Sequence, residues 1–390
     1  MQRKRVGIVH PVFGWGGTEA VCAWTLMSLC DSFDTELLTF DRNITFEKMD
    51  RFYGTKLSKQ NIKIKLLRAP EPFHSMESGY HLLRQHYIMK EVKKLKDDYD
   101  ILFSTYNEMD FGVRGIQYIH FPYIASFEHE RLKEATFAEV WYHKPSPIRW
   151  WYEKLGCILS SYNPSRMKQN VTLVNSNWTG KIVWDAYEID TITVYPPVNV
   201  EPKNTTLQPP NFLHRDAGFV AIGRIEPTKR FIEIVKILSG VRVRGYDVHL
   251  HIAGKVGDHK YFKKLKELQR ENYSWLFIED GLTREDLARL ISSHRFGIHG
   301  KINEHFGIAV AEMVKLGCVV FVHNSGGQIE AVGGDERLMY TSEGEAVEKI
   351  VKIIRDASLQ MELHENALKQ GTLFSVENYM NSIKRIVEDF

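Results

Sequence analysis

The sequence predicts two parallel α/β domains, each a doubly wound sheet of short strands covered by helices. Three observations carry this prediction. Strand-like apolar runs alternate with helix-period segments along the whole chain, the pattern of parallel α/β folds. The chain has 390 residues, more than one ordinary core accommodates. Residues 195–210, Tyr-Pro-Pro-Val-Asn-Val-Glu-Pro-Lys-Asn-Thr-Thr-Leu-Gln-Pro-Pro, interrupt the alternation with a Pro- and Asn-rich composition that marks a hinge or linker.

The first half begins with a strand over Val6–His10. A loop containing Gly14, Gly16 and Gly17 follows, then a helix from about Ala20. Ile62, Ile64 and Leu66 alternate with lysines, as in a half-exposed strand. Runs at 101–104, 116–120 and 171–175 complete this set. The second half offers strands at 219–223, 248–254, 276–279, 296–299 and 319–323, and a helical segment from about Phe374 closes the chain. The expected organisation is a first domain over 1–197, a linker over 198–211, a second domain over 212–372, and a C-terminal helix over 373–390.

Hydrophobic residues make up 43% and charged residues 26%, the balance of a soluble globular protein. A net charge of +2 provides no field for nucleic acid. No apolar run approaches the roughly 18 residues of a membrane span. The basic start, Met-Gln-Arg-Lys-Arg, precedes a run too short and polar for a secretory signal, so a cytoplasmic location is expected. Cys22, Cys30, Cys157 and Cys318 lack paired spacing and read as reduced thiols without a zinc ligand set.

Residues 304–312, Glu-His-Phe-Gly-Ile-Ala-Val-Ala-Glu, carry the chemistry. A glycine turn before helix formers presents free backbone N–H groups, a ready anion site. Glu304 precedes that helix, and Glu312 falls in its second turn. Phosphate recognition flanked by two hydroxyl-binding acids suits a sugar nucleotide. At the exit of the 219–223 strand stand Arg224, a fork for phosphate oxygens, and Lys229, a mobile point charge; together they can neutralise a diphosphate. The plainer reading of each is a solvated surface residue. A second glycine-rich helix start, at Gly326-Gly327, adds further backbone donors or is simply a turn.

These residues resemble glycosyltransferase family 4, retaining enzymes of the GT-B fold. The likeness rests on Glu-His-Phe-Gly…Glu at 304–312, Asn-Ser-Gly-Gly at 324–327, Gly-Arg…Lys at 223–229, Val-Asn-Ser-Asn-Trp-Thr at 174–179 and Val-Tyr-Pro-Pro-Val at 194–198. Within the family, the strings at 303–308 and 323–327 look most like those of the lipid-linked oligosaccharide α-1,2-mannosyltransferases. That group starts with a membrane-spanning segment, and no such run occurs at the start of this sequence. The resemblance implies two domains facing across a cleft, with the acceptor on the first and a GDP- or UDP-sugar on the second. It implies that Arg224 and Lys229 hold the donor diphosphate, that Glu312 binds the ribose, and that Glu304 binds sugar hydroxyls beside Phe306, Gly307 and Ile308. The base is placed near Ile278 and Leu282. Gly16 and Gly17 approach the donor phosphate, and His120, after the strand at 116–119, contacts the transferred sugar. No separate cofactor is implied.

The resemblance therefore implies a retaining transfer of mannose or another hexose to a glycan or lipid-pyrophosphate acceptor. No carboxylate stands out as a covalent nucleophile, so departure and attack on one face are favoured, with the diphosphate taking the acceptor proton. Arg224 and Lys229 make a divalent ion unnecessary, so metal independence is expected. Asp98-Tyr99-Asp100 is a poor metal candidate beside its lysine-rich neighbour. Alternatives are a GT-B sugar-nucleotide epimerase, a sugar-phosphate synthase, or a nucleotide-sugar-binding module without turnover. Aromatic and basic residues mix at 80–96 and 141–168. They suit either core-facing rings with a solvated basic face, or peripheral contact with the cytoplasmic face of a membrane.

Overall fold

The computed structural model describes residues 3–74, 80–124, 147–200 and 212–390. The chain divides into two units, Met1–Pro197 with Val376–Phe390, and Val198–Ser375.

The first unit is built on a seven-stranded sheet in the order β3-β2-β1-β4-β5-β6-β7. Its strands are β1 Arg5–Val9, β2 Asp34–Thr39, β3 Lys63–Leu66, β4 Ile101–Ser104, β5 Ile116–Ile119, β6 Val171–Val174 and β7 Ile192–Thr193. Every pairing is parallel. β1, β4 and β5 are buried almost throughout because helices cover both faces; β1 and β4 read accordingly as apolar runs, while β5 buries Gln117. β3 is an edge strand, and its alternation does not follow the expected face: Leu66 is 54% exposed, while Leu67 beyond the strand turns inward. The helix Val376–Glu388 buries Tyr379, Ile383 and Val387, one face at a spacing of four, against the β1 side of this core. The Tyr379 hydroxyl meets Thr25 Oγ1 at 2.7 Å within the same core.

The second unit has a six-stranded parallel sheet in the order β10-β9-β8-β11-β12-β13. Its strands are β8 Asp216–Ile222, β9 Leu250–Ala253, β10 Leu276–Glu279, β11 His294–His299, β12 Val319–His323 and β13 Met339–Tyr340. Phe219 and Phe296 stack at 5.0 Å on neighbouring strands, and Phe321 joins them. Asp258, Thr283, Ser342 and Asp356 each accept a backbone N–H at the start of a helix, fixing where those helices begin.

Two expected boundaries move. Val198, placed in a linker by the sequence, is held in the second unit: its N–H donates to Phe374 O at 2.9 Å and its carbonyl accepts from Lys315 Nζ at 2.8 Å. Residues 201–211 of that linker lie outside the described residues. The C-terminal boundary falls between Ser375 and Val376 rather than at 372/373, because Phe374 is buried and packs on Phe306 of the second unit at 5.3 Å.

In both sheets the chain reverses its winding direction beside the first strand, between β1 and β4 and between β8 and β11. Ligands of doubly wound sheets bind at such points, beyond the carboxyl ends of the strands. The loops after β8 and β11, 223–230 and 300–307, are therefore the expected ligand-binding edge of the second unit. The corresponding loops of the first unit follow β1 and β4.

Candidate active site

The loop after β11 is fixed before any ligand arrives. Asn303 adopts a left-handed conformation, φ 53°. Its N–H donates to Ser325 Oγ at 2.8 Å, and Glu304 O accepts from Gly327 N–H at 2.7 Å. The Gln328 amide donates to the carbonyls of Lys301, His323 and Ser325 at 2.7–3.0 Å. Gly326 has φ +77°, and a Cβ there would lie 2.3 Å from Glu304 O, so only glycine lets the two loops meet. This corrects the reading of Gly326-Gly327 as a second anion site. The Gly327 N–H is committed to Glu304, and the helix it begins, Gln328–Ala331, is a single turn.

That scaffold points Glu304 at three basic groups. Its Oε2 lies 2.6 Å from Lys229 Nζ and 3.3 Å from His299 Nε2, and its Oε1 lies 3.1 Å from Lys301 Nζ. Glu304 is buried, 9% exposed. Burial alone would push its carboxyl up, but Lys229, Lys301 and His299 outweigh that effect and hold it well below the usual carboxylate range. Burial pulls His299 below its ordinary value, so a neutral ring donates Nε2–H to the carboxylate. His299 and Lys301 escaped the sequence reading; the signal available was their position at the carboxyl end of a buried strand.

Lys229 ends the short turn Pro227–Lys229, and its stem packs 3.4 Å from where a Cβ on Gly223 would stand. Arg224 is exposed and lies over Gly257, and among the described residues it makes no hydrogen bond or ion pair. The helix Ile308–Lys315 begins at Gly307, φ +91°. Its first internal bond runs from Ala311 N–H to Gly307 O, so the N–H groups of Ile308, Ala309 and Val310 precede the helical ladder. Phe306 is buried behind this turn. Glu312, 4% exposed, receives Arg284 Nη1 at 2.7 Å; Arg284, at the start of the helix Arg284–Ser293, was not foreseen. Ile278 lies half-buried on β10, and Leu282 is 36% exposed in the loop that follows.

In the first unit, His120 follows β5. Its Nε2–H donates to Thr105 O at 3.1 Å, its N–H to Asn107 Oδ1 at 2.9 Å, and its carbonyl accepts from Asn175 Nδ2 at 3.0 Å. Burial pulls its pKa down to about 4, so the ring is neutral and presents Nδ1 as an acceptor. His10, at the end of β1, is fully buried, with Nδ1 3.0 Å from Thr105 Oγ1 and its Nε2 without a partner. Burial takes its pKa to about 3, with His120 adding to the effect. The glycine loop is more occupied than expected. Glu19, 3% exposed, accepts the Gly14 N–H at 2.9 Å and the Gly16 N–H at 2.8 Å, so a carboxylate of the chain itself sits at this helix start. Gly17 is the first residue of the helix Gly17–Leu29.

The aromatic-basic segments separate. In the helix His81–Lys93, Arg84 and His86 point inward and Lys93 pairs with Asp110 at 2.7 Å, so this helix belongs to the core. In the helix Pro147–Ser160 large apolar side chains face outward: Trp151 is 66% and Ile158 73% exposed. Trp141, Tyr142 and Lys144 lie outside the described residues. Asp98 and Asp100 stand at the opposite strand edge and bind Arg5 through Asp98 O at 2.7 Å and Asp100 Oδ2 at 2.7 Å, a structural role.

With this geometry in view, the similarities to known proteins are consistent. Residues 203–370 match the model of the family described as glycosyl transferases group 1. The chain is 25% identical over 240 residues to the GDP-Man:Man(3)GlcNAc(2)-PP-Dol alpha-1,2-mannosyltransferase of Dictyostelium discoideum, covering 56% of this chain and 47% of that one. The Caenorhabditis elegans protein of the same name is 26% identical over 273 residues, 63% and 57% of the two chains. The chain thus spans about half the length of the curated relatives it matches. Among solved structures, Anabaena HepE in complex with UDP and glucose superposes with a TM-score of 0.69 at 15% identity, over 99% of this chain and 100% of that one. Sucrose-phosphate synthase from Thermosynechococcus elongatus gives 0.70 at 12% identity, over 99% of both. The fold is GT-B, and its second unit carries the matched glycosyl transferase segment.

Proposed function

We propose that this protein is a retaining glycosyltransferase that moves a hexose, mannose first among them, from a nucleoside-diphosphate donor to a glycan or lipid-linked acceptor. The observation that carries the reading is the pre-set cluster Lys229–Glu304–Lys301–His299 on the ligand edge of the second sheet, beside the helix start at Gly307. A lysine ammonium has three donors. Glu304 takes one from Lys229, which leaves the others for donor phosphate oxygens. Arg224 and the N–H groups at Ile308 supply the rest of the anion site. Glu304, held ionised, accepts sugar hydroxyls, and Glu312, steadied by Arg284, accepts the ribose diol. Phe306 backs the turn, and the base rests near Ile278 and Leu282.

On this reading the β-phosphate leaves on the face where the acceptor hydroxyl attacks, and it takes the acceptor proton. Catalysis comes from fixed positive charge around the leaving group, without a divalent ion. His120 offers Nδ1 to a sugar hydroxyl and does not act as a base. Gly16 and Gly17 take a lesser part, because Glu19 already occupies their loop. The donor assignment to GDP-mannose rests on the names of the sequence relatives, whereas the HepE structure contains UDP.

The acceptor side of the reading adds a membrane surface, with the protein working at its cytoplasmic face. Trp151, Leu155 and Ile158 share one helix face and are 66%, 55% and 73% exposed, with Lys154 beside Trp150. Such a face suits the interfacial region of a bilayer. The test is a transfer assay with GDP-mannose and UDP-glucose against a lipid-pyrophosphate glycan, with the anomeric configuration read by NMR. Transfer with retention supports the proposal. Inversion, or sugar-nucleotide conversion without an acceptor, refutes it.

A further inference from the structure

Three histidines meet on one face of the second sheet, at the edge opposite the active site. His249 and His251 are two residues apart on and just before β9, so their side chains leave the same face. His294 opens β11, with β8 between the two strands. His249 Nε2 and His294 Nε2 are 3.0 Å apart, and the three potential ligand atoms lie within 4.8 Å of one another. The intervening strand makes room for them. A Cβ on Gly218 would lie 2.2 Å from His249 Nε2, so any other residue there would evict the ring.

Two of the outer ring nitrogens have their own partners. His294 Nδ1 donates to Leu290 O at 2.8 Å, which leaves Nε2 with its lone pair facing the cluster. His251 Nδ1 lies 3.0 Å from Glu279 Oε1, and its ring stacks on Phe277 at 4.8 Å. A carboxylate behind an imidazole fixes the tautomer and raises the basicity of the other nitrogen, the usual support of a metal-bound histidine. The neutral imidazole is the form that binds metal.

We propose that His249, His251 and His294 form a binding site for a borderline divalent cation, Zn²⁺ in particular, that clips β9 to β11 across β8. Zinc takes imidazole nitrogens at about 2.0–2.1 Å, which sets neighbouring ligands roughly 3.3 Å apart in a tetrahedron. The His249–His294 pair is already near that spacing, and rotation of the half-buried His251 ring closes the rest. Water completes the tetrahedron as the fourth ligand. The cluster is separate from the donor site: β11 runs from His294 at one end to His299 at the other, a rise of roughly 16 Å. No local pattern announces this site, because a His-x-His entering one strand and a third histidine on another match no ligand spacing.

The test is isothermal titration of metal-stripped protein with Zn²⁺, with Co²⁺ as the spectroscopic probe. One Zn²⁺ per chain and visible cobalt bands of a low-coordinate nitrogen site are expected. His251→Gln and His294→Gln abolish the stoichiometric binding, and Glu279→Gln weakens it about 10- to 100-fold. Circular dichroism establishes that each variant is folded; His251 is half-buried, so its variant stands in where the buried His294 is not tolerated. Absence of stoichiometric binding, or folded His251→Gln and Glu279→Gln proteins that bind as the parent does, would overturn the proposal.

Discussion

Removing Lys229 separates a catalytic role from a structural one. Its ammonium lies 2.6 Å from Glu304 Oε2, and the two side chains are 17% and 12% exposed. Deleting one member of a buried pair costs about 3–5 kcal/mol, because the other charge is stranded. Here Lys301 remains at 3.1 Å and covers part of the loss, so about 2–3 kcal/mol is expected. For a unit of this size that lowers Tm by about 4–12 °C. If Lys229 also stabilises charge on the departing diphosphate, Lys229→Ala cuts kcat by a further ~10²- to 10³-fold, measured well below the melting temperature. Lys229→Met keeps the stem that packs by Gly223 but strands Glu304 as Ala does, so it recovers neither the ion-pair stability nor turnover. The assay is donor consumption and product formation under saturating donor, beside a melting curve for each variant. A folded Lys229→Ala protein with near-normal kcat would refute the catalytic role and leave Lys229 as a brace for Glu304.

Other outcomes follow from the same geometry. If Glu312 holds the ribose as proposed, Glu312→Ala removes those charged hydrogen bonds and nucleotide affinity falls about 10- to 100-fold while kcat changes less, as titration with the free nucleotide will read. Gly326→Ala forces a side chain into a left-handed backbone against Glu304 O and costs at least about 2 kcal/mol, visible as a lower urea midpoint. Stability depends on pH through two sets of groups. His10 and His120 have folded pKa values near 3 and 4, below their unfolded value of 6.5. Their contribution is present above 6.5 and is lost as pH falls toward 4, at about 1.4 kcal/mol per pH unit for each group. Glu304, with its folded pKa depressed, contributes above the usual carboxylate range and loses that contribution below it, an arm that Glu304→Gln abolishes. Transfer survives EDTA; loss that only Mg²⁺ restores would contradict the metal-free leaving-group mechanism.

Much of this architecture was legible because burial dictates composition. Strands covered on both faces, such as β8 and β12, read as apolar runs of four or more residues between glycine or polar breaks. β2, Asp-Thr-Glu-Leu-Leu-Thr, has two acids and no β-branched pair at its centre, and it was missed. So were β7 and β13, two-residue strands at sheet edges where there is little to bury. The helix start at Gly307, with Glu304 before it and Glu312 inside it, was legible because a glycine ahead of a run of helix formers marks a helix N-terminus. Their partners were not. His299, Lys301 and Arg284 reach those acids through tertiary geometry that a local pattern does not encode. The same limit explains Glu19, whose carboxylate fills a glycine loop that spacing alone left open for a ligand.

The central claim, that the second unit holds a nucleoside-diphosphate sugar, is tested most directly by a thermal-shift titration with GDP, UDP and ADP and their hexose conjugates. A ligand at 100 times its Kd stabilises by about 2.7 kcal/mol. The account predicts such a shift for one base family, GDP first, that Glu312→Ala sharply weakens. No shift with any of these nucleotides, or an equal shift in Glu312→Ala, would contradict it.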